Sequence, residues 1–213
     1  RPAVVGQRRA GRGAVAPEDP GLVILTAIVL GMSLPILPIQ ILWINMIAAV
    51  ILGLPLAFEP ARSDVMSRVP RDPNEPLVPT GHVVRMFIVG IVLLLGAFTV
   101  FSMEMEAGGN VDVARTAATN ALVMMEAFYL YNVRRPDVER KSVDAKGNPF
   151  LWAGVILTMG LQAMFTYAPF MNAIFHTAPV DLLSWGISLG SGLILAVVME
   201  AEKYFEKVIS RWA

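Results

Sequence analysis

The sequence predicts an all-α membrane protein: a bundle of six transmembrane helices, the first of them short, with both termini in the cytosol. Three observations carry this. The 213 residues are 55% apolar and only 16% charged, with a mean hydropathy of +0.60, which is too apolar for a soluble globule. The apolar residues gather in six blocks, approximately 21–34, 39–58, 84–103, 114–133, 149–171 and 183–200; crossing a bilayer core takes about 20 helical residues. Open sheet edges cannot face lipid, so the blocks read as helices, and the Pro, Asp, Asn and Arg clusters between them as loops. With the N-terminus placed inside, sixteen of the seventeen Lys and Arg residues fall on the inner side, and only Arg115 lies outside.

The first block is the weakest. Its fourteen residues rise about 21 Å at 1.5 Å per residue, short of the hydrocarbon thickness. Extension upstream meets Pro20, Asp19, Glu18 and Pro17. Residues 1–20, rich in Arg, Ala, Gly and Pro without periodicity, form a leader predicted to be disordered. A secretory signal is disfavoured, because Pro35 and Pro38 follow Leu34 where a small-residue cleavage site is required. The second block runs into a Pro- and Arg-rich inner loop. The third ends at an outer acidic loop holding Glu104, Glu106 and Asp112, and the fourth carries Glu126 about twelve residues in. The fifth and sixth place Tyr167 and Trp185 at the outer interface and Trp152 and Tyr204 at the inner one, as an aromatic belt requires. The tail alternates Glu202 and Glu206 with Lys203, Lys207 and Arg211, an exit helix whose charges meet water and headgroups.

Composition also excludes functions. Seventeen basic residues balance seventeen acidic ones, so no net field attracts nucleic acid. With no cysteine and only His82 and His176, thiol chemistry, Cys-ligated zinc and His-built sites lack material. No Gly-rich phosphate loop is present. The sequence offers no catalytic residues and no cofactor-binding motif.

The most specific signal is in the second block. It reads PIQILWINM, continues through GLP at Gly53–Pro55, and enters FEPARSDVMSRVPRDPNEPLV. Downstream come ARTAATNALVMMEAFYLYNVRR, NPFLWAGVILTMGLQ and a final VVMEAEKYFEKVISR. This run resembles the C-terminal membrane domain of cation-transporting P-type ATPases of the calcium-pump and sodium-pump type, whose sixth helix carries PxQxLWxN and leads through FEP…D…M…PPR into a cytosolic loop. Val69 replaces the first Pro of that PPR. The resemblance covers roughly residues 21–211, making 21–213 the family's C-terminal membrane domain, and it implies that the six blocks are the fifth to tenth helices of such a pump.

The resemblance also implies what lies elsewhere. The family's phosphorylated Asp, in a DKTG sequence, belongs to an upstream cytosolic portion with the nucleotide-binding domain, and no Asp-Lys-Thr occurs here. The family uses ATP and Mg; this chain is expected to bind neither and to be no enzyme alone. Its expected partners are the lipid bilayer and a missing N-terminal pump portion, and its expected place is the inner or plasma membrane, multi-pass. Glu18-Asp19-Pro20 stands where the family's fifth-helix NxGE would be, which reads as a break in homology at Gly21, the product of a truncation or frameshift, or else as divergence of a self-standing protein.

For the ion site, the resemblance implies Asn45 from the sixth helix, whose partner positions are Ala48 and Ala49 here, and Glu126 from the eighth. Without the family, Glu126 has two readings. An ionised group at mid-bilayer costs on the order of 3 kcal/mol, so it faces protein or water, either as cation ligand or proton carrier, or as an acid bonded to a neighbour such as Asn45 or Gln162. Asn45 suits ligation or a cross-helix bond equally, and Gln162 reads as structural glue more than as a ligand. One carboxylate suits a monovalent cation or a proton better than calcium. The rival to a pump fragment is a non-catalytic membrane interaction protein that assembles with a partner subunit.

Overall fold

A computed structural model describes residues 21–48, 80–134 and 149–209 of the chain. These form seven helices: α1 (Gly21–Val29), α2 (Pro38–Met46), α3 (Thr80–Glu106), α4 (Val111–Arg134), α5 (Pro149–Tyr167), α6 (Pro169–Phe175) and α7 (Leu182–Ile209). The FEP-containing loop and the leader lie outside the described residues.

Helix boundaries follow from local chemistry. α1 stops at Val29, five residues before the apolar block ends, because Gly31 turns left-handed at φ +65°. Gly31 N–H then reaches Ile28 O at 3.1 Å and Met32 N–H reaches Ala27 O at 2.9 Å, the paired bonds of a Schellman stop. At about 14 Å, α1 is too short to cross a bilayer alone. α2 starts with Pro38 in the first turn, where the missing N–H costs nothing. Gln40 reaches back to accept Leu37 N–H at 3.0 Å. After Met46 the backbone of Ile47 and Ala48 widens into a π-type turn.

α3 and α4 form an antiparallel hairpin. Gly108, at φ +82°, repeats the same stop: Gly109 N–H bonds Glu104 O at 2.9 Å and Gly108 N–H bonds Met105 O at 3.2 Å. This turn marks the hairpin end of the bundle. The fifth apolar block, expected as one helix, is bent by 78° between α5 and α6. Pro169 is the cause: it cannot donate to the α5 ladder and drives Ala168 to extended backbone at ψ 125°.

Among the described residues, α3 and α7 contain the two segments long and apolar enough to span a membrane unaided, Val84–Glu106 and Leu182–Tyr204, and the bent α5–α6 pair makes a third if counted as one. α4 is as long, with 24 residues, but more polar, and its position explains why. It touches α2, α3, α5 and α7. Every residue from Thr116 to Met125 is buried, so neighbours rather than lipid cover it all round. The core is packed by Leu122, Met124 and Met125 of α4 against Val89 of α3 and Leu195 and Met199 of α7. Leu25, Phe87, Ile156 and Val197 point outward and are exposed, as a lipid-facing surface requires.

Candidate functional site

Buried polar groups in such a bundle must find partners within it. They do so where α2, α4, α5 and α6 meet. Gln40 is fully buried; its Nε2 donates to Phe175 O at 3.0 Å, and its Oε1 accepts from the Thr119 hydroxyl at 3.5 Å. One turn on, the Trp43 indole stacks on Phe165 with centroids 5.1 Å apart and meets Phe175 edge-on at 5.4 Å. Its Nε1–H donates to Gln162 Oε1 at 3.1 Å. Gln162 Nε2 donates to Asn120 Oδ1 at 2.6 Å, and Asn120 Nδ2 to the Thr166 hydroxyl at 3.3 Å. The Thr166 hydroxyl in turn donates to Gln162 O at 2.8 Å. Trp43, Asn120, Gln162 and Thr166 are each buried.

The residues singled out in the sequence are distributed unevenly around this network. Gln162 is at its centre, with both amide atoms engaged by Trp43 and Asn120. Asn45 is exposed, while Trp43 and Ile44 are buried; two residues past Trp43 it projects about 200° away around the helix. Glu126 is half-buried, with its Oε2 sealed from solvent. It stands six residues beyond Asn120, about 9 Å further along α4. Asn45 and Glu126 are thus not members of the amide network. Among the described residues, no group of three or more His, Cys, Asp or Glu side chains is placed to hold a metal ion. Gln40 appears in the sequence only as part of the PxQxLWxN motif, and Thr119, Asn120 and Thr166 are not among its candidate residues. Their signal was nonetheless present, as polar side chains inside helices that must be shielded from lipid.

Polar contacts also close the two ends of the bundle. At the hairpin end, Asp181 accepts Ser184 N–H at 2.8 Å, capping α7, and shares the Ser184 hydroxyl, 2.7 Å away, with Glu104 of α3. These bonds, led by the Ser184 hydroxyl, hold the Asp181 carboxyl below the usual Asp range. Tyr167 and Trp185, placed together at one interface by sequence, do meet: the indole donates to Tyr167 Oη at 2.9 Å, and that hydroxyl donates to Val180 O at 2.9 Å. At the opposite end, Arg85 of α3 pairs with Glu202 of α7 at 2.6 Å. Asn132 of α4 donates to Glu200 at 3.0 Å, and Lys203 donates to Asn132 O at 3.1 Å.

An apolar helical bundle sewn together by amides fits many transporters and narrows nothing further. Comparison does. The family profile described as "Cation transporting ATPase, C-terminus" matches residues 33–205. The chain belongs to this family. It is 39% identical over 188 residues to the protein named "Probable cation-transporting ATPase F" of Mycobacterium tuberculosis H37Rv, covering 88% of this chain and 21% of that protein. It is 33% identical over 174 residues to "Cation-transporting ATPase pma1" of Synechocystis, covering 79% of the chain and 19% of the relative. To the "Calcium-transporting ATPase" of Bacillus subtilis it is 29% identical over 177 residues, covering 81% and 19%. This cation-ATPase membrane domain thus spans about a fifth of the length of the curated relatives it matches. Family membership and the apolar helices together place it in a membrane.

Proposed function

We propose that the chain is the ion-pathway domain of a cation-transporting P-type ATPase, crossing the inner or plasma membrane six times with both termini in the cytosol. The observation that carries this reading is the family match across residues 33–205, which takes in the PIQILWIN helix, α3 to α6 and most of α7. Energy coupling then belongs to a phosphorylation and nucleotide-binding portion outside this sequence. The chain alone acts as a membrane component and not as an ATP hydrolase.

Asn45 and Glu126 supply the ligand oxygens in this proposal, and Gln162, whose Oε1 already accepts from Trp43, takes a supporting part. An exposed carboxamide on a membrane-domain helix needs water or a partner, which a hydrated pathway beside α2 provides. Calcium asks for six to eight oxygens, several from carboxylates. One carboxylate with an amide and backbone carbonyls balances about one positive charge, and so favours a monovalent cation or a proton.

Two measurements test this. The purified chain is expected to release no phosphate from ATP and to form no acid-stable phosphoenzyme; ATP turnover abolished by a point substitution within the chain refutes the division of labour. Titration calorimetry is expected to show at most weak calcium binding. Micromolar calcium affinity that disappears in Glu126→Gln refutes the monovalent reading.

A further inference from the structure

The amide network has a direction that geometry alone imposes. An indole Nε1–H only donates. Trp43 therefore fixes Gln162 with its Oε1 toward α2. The other end of that amide, Nε2, must then face α4, where Asn120 presents Oδ1 at 2.6 Å. This turns Asn120 Nδ2 toward the Thr166 hydroxyl, which closes the run on Gln162 O. Three side chains from two helices thus have their orientations set by one donor-only group on a third, and neither amide can flip without leaving a buried polar atom unpaired. The fit beside it is equally constrained, because the Trp43 ring lies flat on Phe165, at 15° between planes. The second tie, Gln40 to Phe175 O and Thr119, lies less than one turn away on α2. Directly beyond these ties, α2 carries Asn45 and opens into its π-type turn at Ile47.

We infer that Asn120 is a positioning residue: with Gln162 it holds Trp43, and so sets where α2 presents Asn45. Asn120 touches no proposed ligand itself; it acts through Gln162 and the indole. Gln162 then influences cation affinity by holding α2 and not by ligation, since a cation at its Oε1 would displace the indole N–H. The consequence for affinity rests on the proposed function above; the hydrogen-bond relay does not.

The experiment uses the full chain in lipid nanodiscs with nitrogen-labelled tryptophan. Of the four tryptophans, Trp43 is assigned as the indole N–H resonance lost in Trp43→Phe. Gln162→Leu and Asn120→Ala are both expected to shift this resonance and speed its exchange with solvent. Ser191→Ala, whose hydroxyl bonds Ser188 O within α7, leaves it in place. Thr166→Val, a milder change at the far end of the relay, shifts it in the same sense by less and serves if Asn120→Ala does not fold. An unmoved Trp43 indole in Asn120→Ala or, should that variant not fold, in Thr166→Val overturns the inference, even if the protein melts earlier, because that result makes Asn120 mere packing. In a second arm, thallium(I) serves as the monovalent probe. Its affinity is expected to fall about tenfold in Asn120→Ala, as for other residues that act through a ligand's supports. If the unaltered chain binds no thallium, the ligand reading fails while the indole shift still decides the relay. A shifted indole with unchanged thallium affinity overturns the positioning role.

Discussion

Asp181 shows how much one side chain can fix. It precedes α7, and its carboxylate takes both the backbone N–H and the hydroxyl of Ser184. These bonds favour the ionised form, so its folded-state pKa lies below the unfolded value. The stabilisation is therefore complete above the ordinary Asp value and is lost as pH falls through the lowered folded one. Exchange of the Ser184 amide is expected to quicken on acidification below about pH 4, the range of an ordinary Asp. Asp181→Asn should largely remove that pH dependence beyond the intrinsic change in exchange rate; an unchanged pH profile in this variant refutes the assignment. Nothing in the sequence singles out Asp181. Gln162 was legible as an interhelical strut because a lone amide in an apolar run has few other uses. Asn120, its partner, was not, because TAATNAL reads as an ordinary small-residue stretch until α5 is packed against it.

At the scale of elements, small residues decide which helices touch. Ser184, Ser188 and Gly192 recur every four residues along α7; Ser184 meets Glu104 of α3, while Ser188 and Gly192 face α4. Ser188 is fully buried, and a Cβ at Gly192 would run into the Phe128 ring and lie 3.2 Å from Met124 O. Gly96 of α3 meets only the flexible end of Met125, while Gly186 and Gly190 have nothing within 4 Å. Gly192→Leu is therefore expected to cost about 1–3 kcal/mol by overpacking, read as an earlier melting transition in detergent. Gly190→Ala is expected to be neutral, or stabilising by up to about 1 kcal/mol from helix propensity. Equal effects at the two glycines refute this packing account. The sequence pattern alone could not separate the open glycines from the closed one, since both sit on four-residue spacings. Helix existence was legible and helix ends were less so. Apolar runs do not mark a stop at Gly31 or a bend at Pro169, where a left-handed φ and a missing N–H override hydropathy.

The distribution of charge governs the molecule as a whole. The end of the bundle opposite the hairpin gathers Arg85, Lys203, Glu200 and Glu202 into contacts joining α3, α4 and α7. Arg85 and Glu202 are mostly covered, with side chains 21% and 15% exposed, so leaving either alone costs more than an exposed pair would. Arg85→Glu is expected to destabilise the bundle by about 1–3 kcal/mol. Arg85→Glu combined with Glu202→Arg should recover a good part of it; a double variant no better than the single one removes the pair from the account. The sequence places Arg85 and Lys203 on one side by charge count, but does not show that Arg85 and Glu202 clasp across helices 117 positions apart.

The same arrangement leads to the topology. Val84–Glu106 and Leu182–Tyr204 are each long and apolar enough to cross a membrane, and in the proposed topology their two ends lie on opposite faces of it. α4 returns from the hairpin, which brings Arg134 to the side of Arg85, and the Asn132–Glu200–Lys203 contacts bring the far end of α7 there too. The hairpin end holds Glu104, Glu106, Asp112 and Asp181 with Arg115 alone among the basic residues of the described helices. Positive charge is retained on the cytosolic side during insertion, so the proposed orientation puts the Arg85 end inside and the hairpin outside. The chain has no cysteine, which allows single cysteines to report accessibility without background. In intact cells, a membrane-impermeant thiol reagent is expected to label Ala107→Cys, exposed in the hairpin turn, and to leave Asn74→Cys, in the sequence before α3, unlabelled until the membrane is opened. Labelling of Asn74→Cys from outside inverts the bundle. Labelling of both from outside means that α3 does not cross the membrane, and refutes the proposed topology.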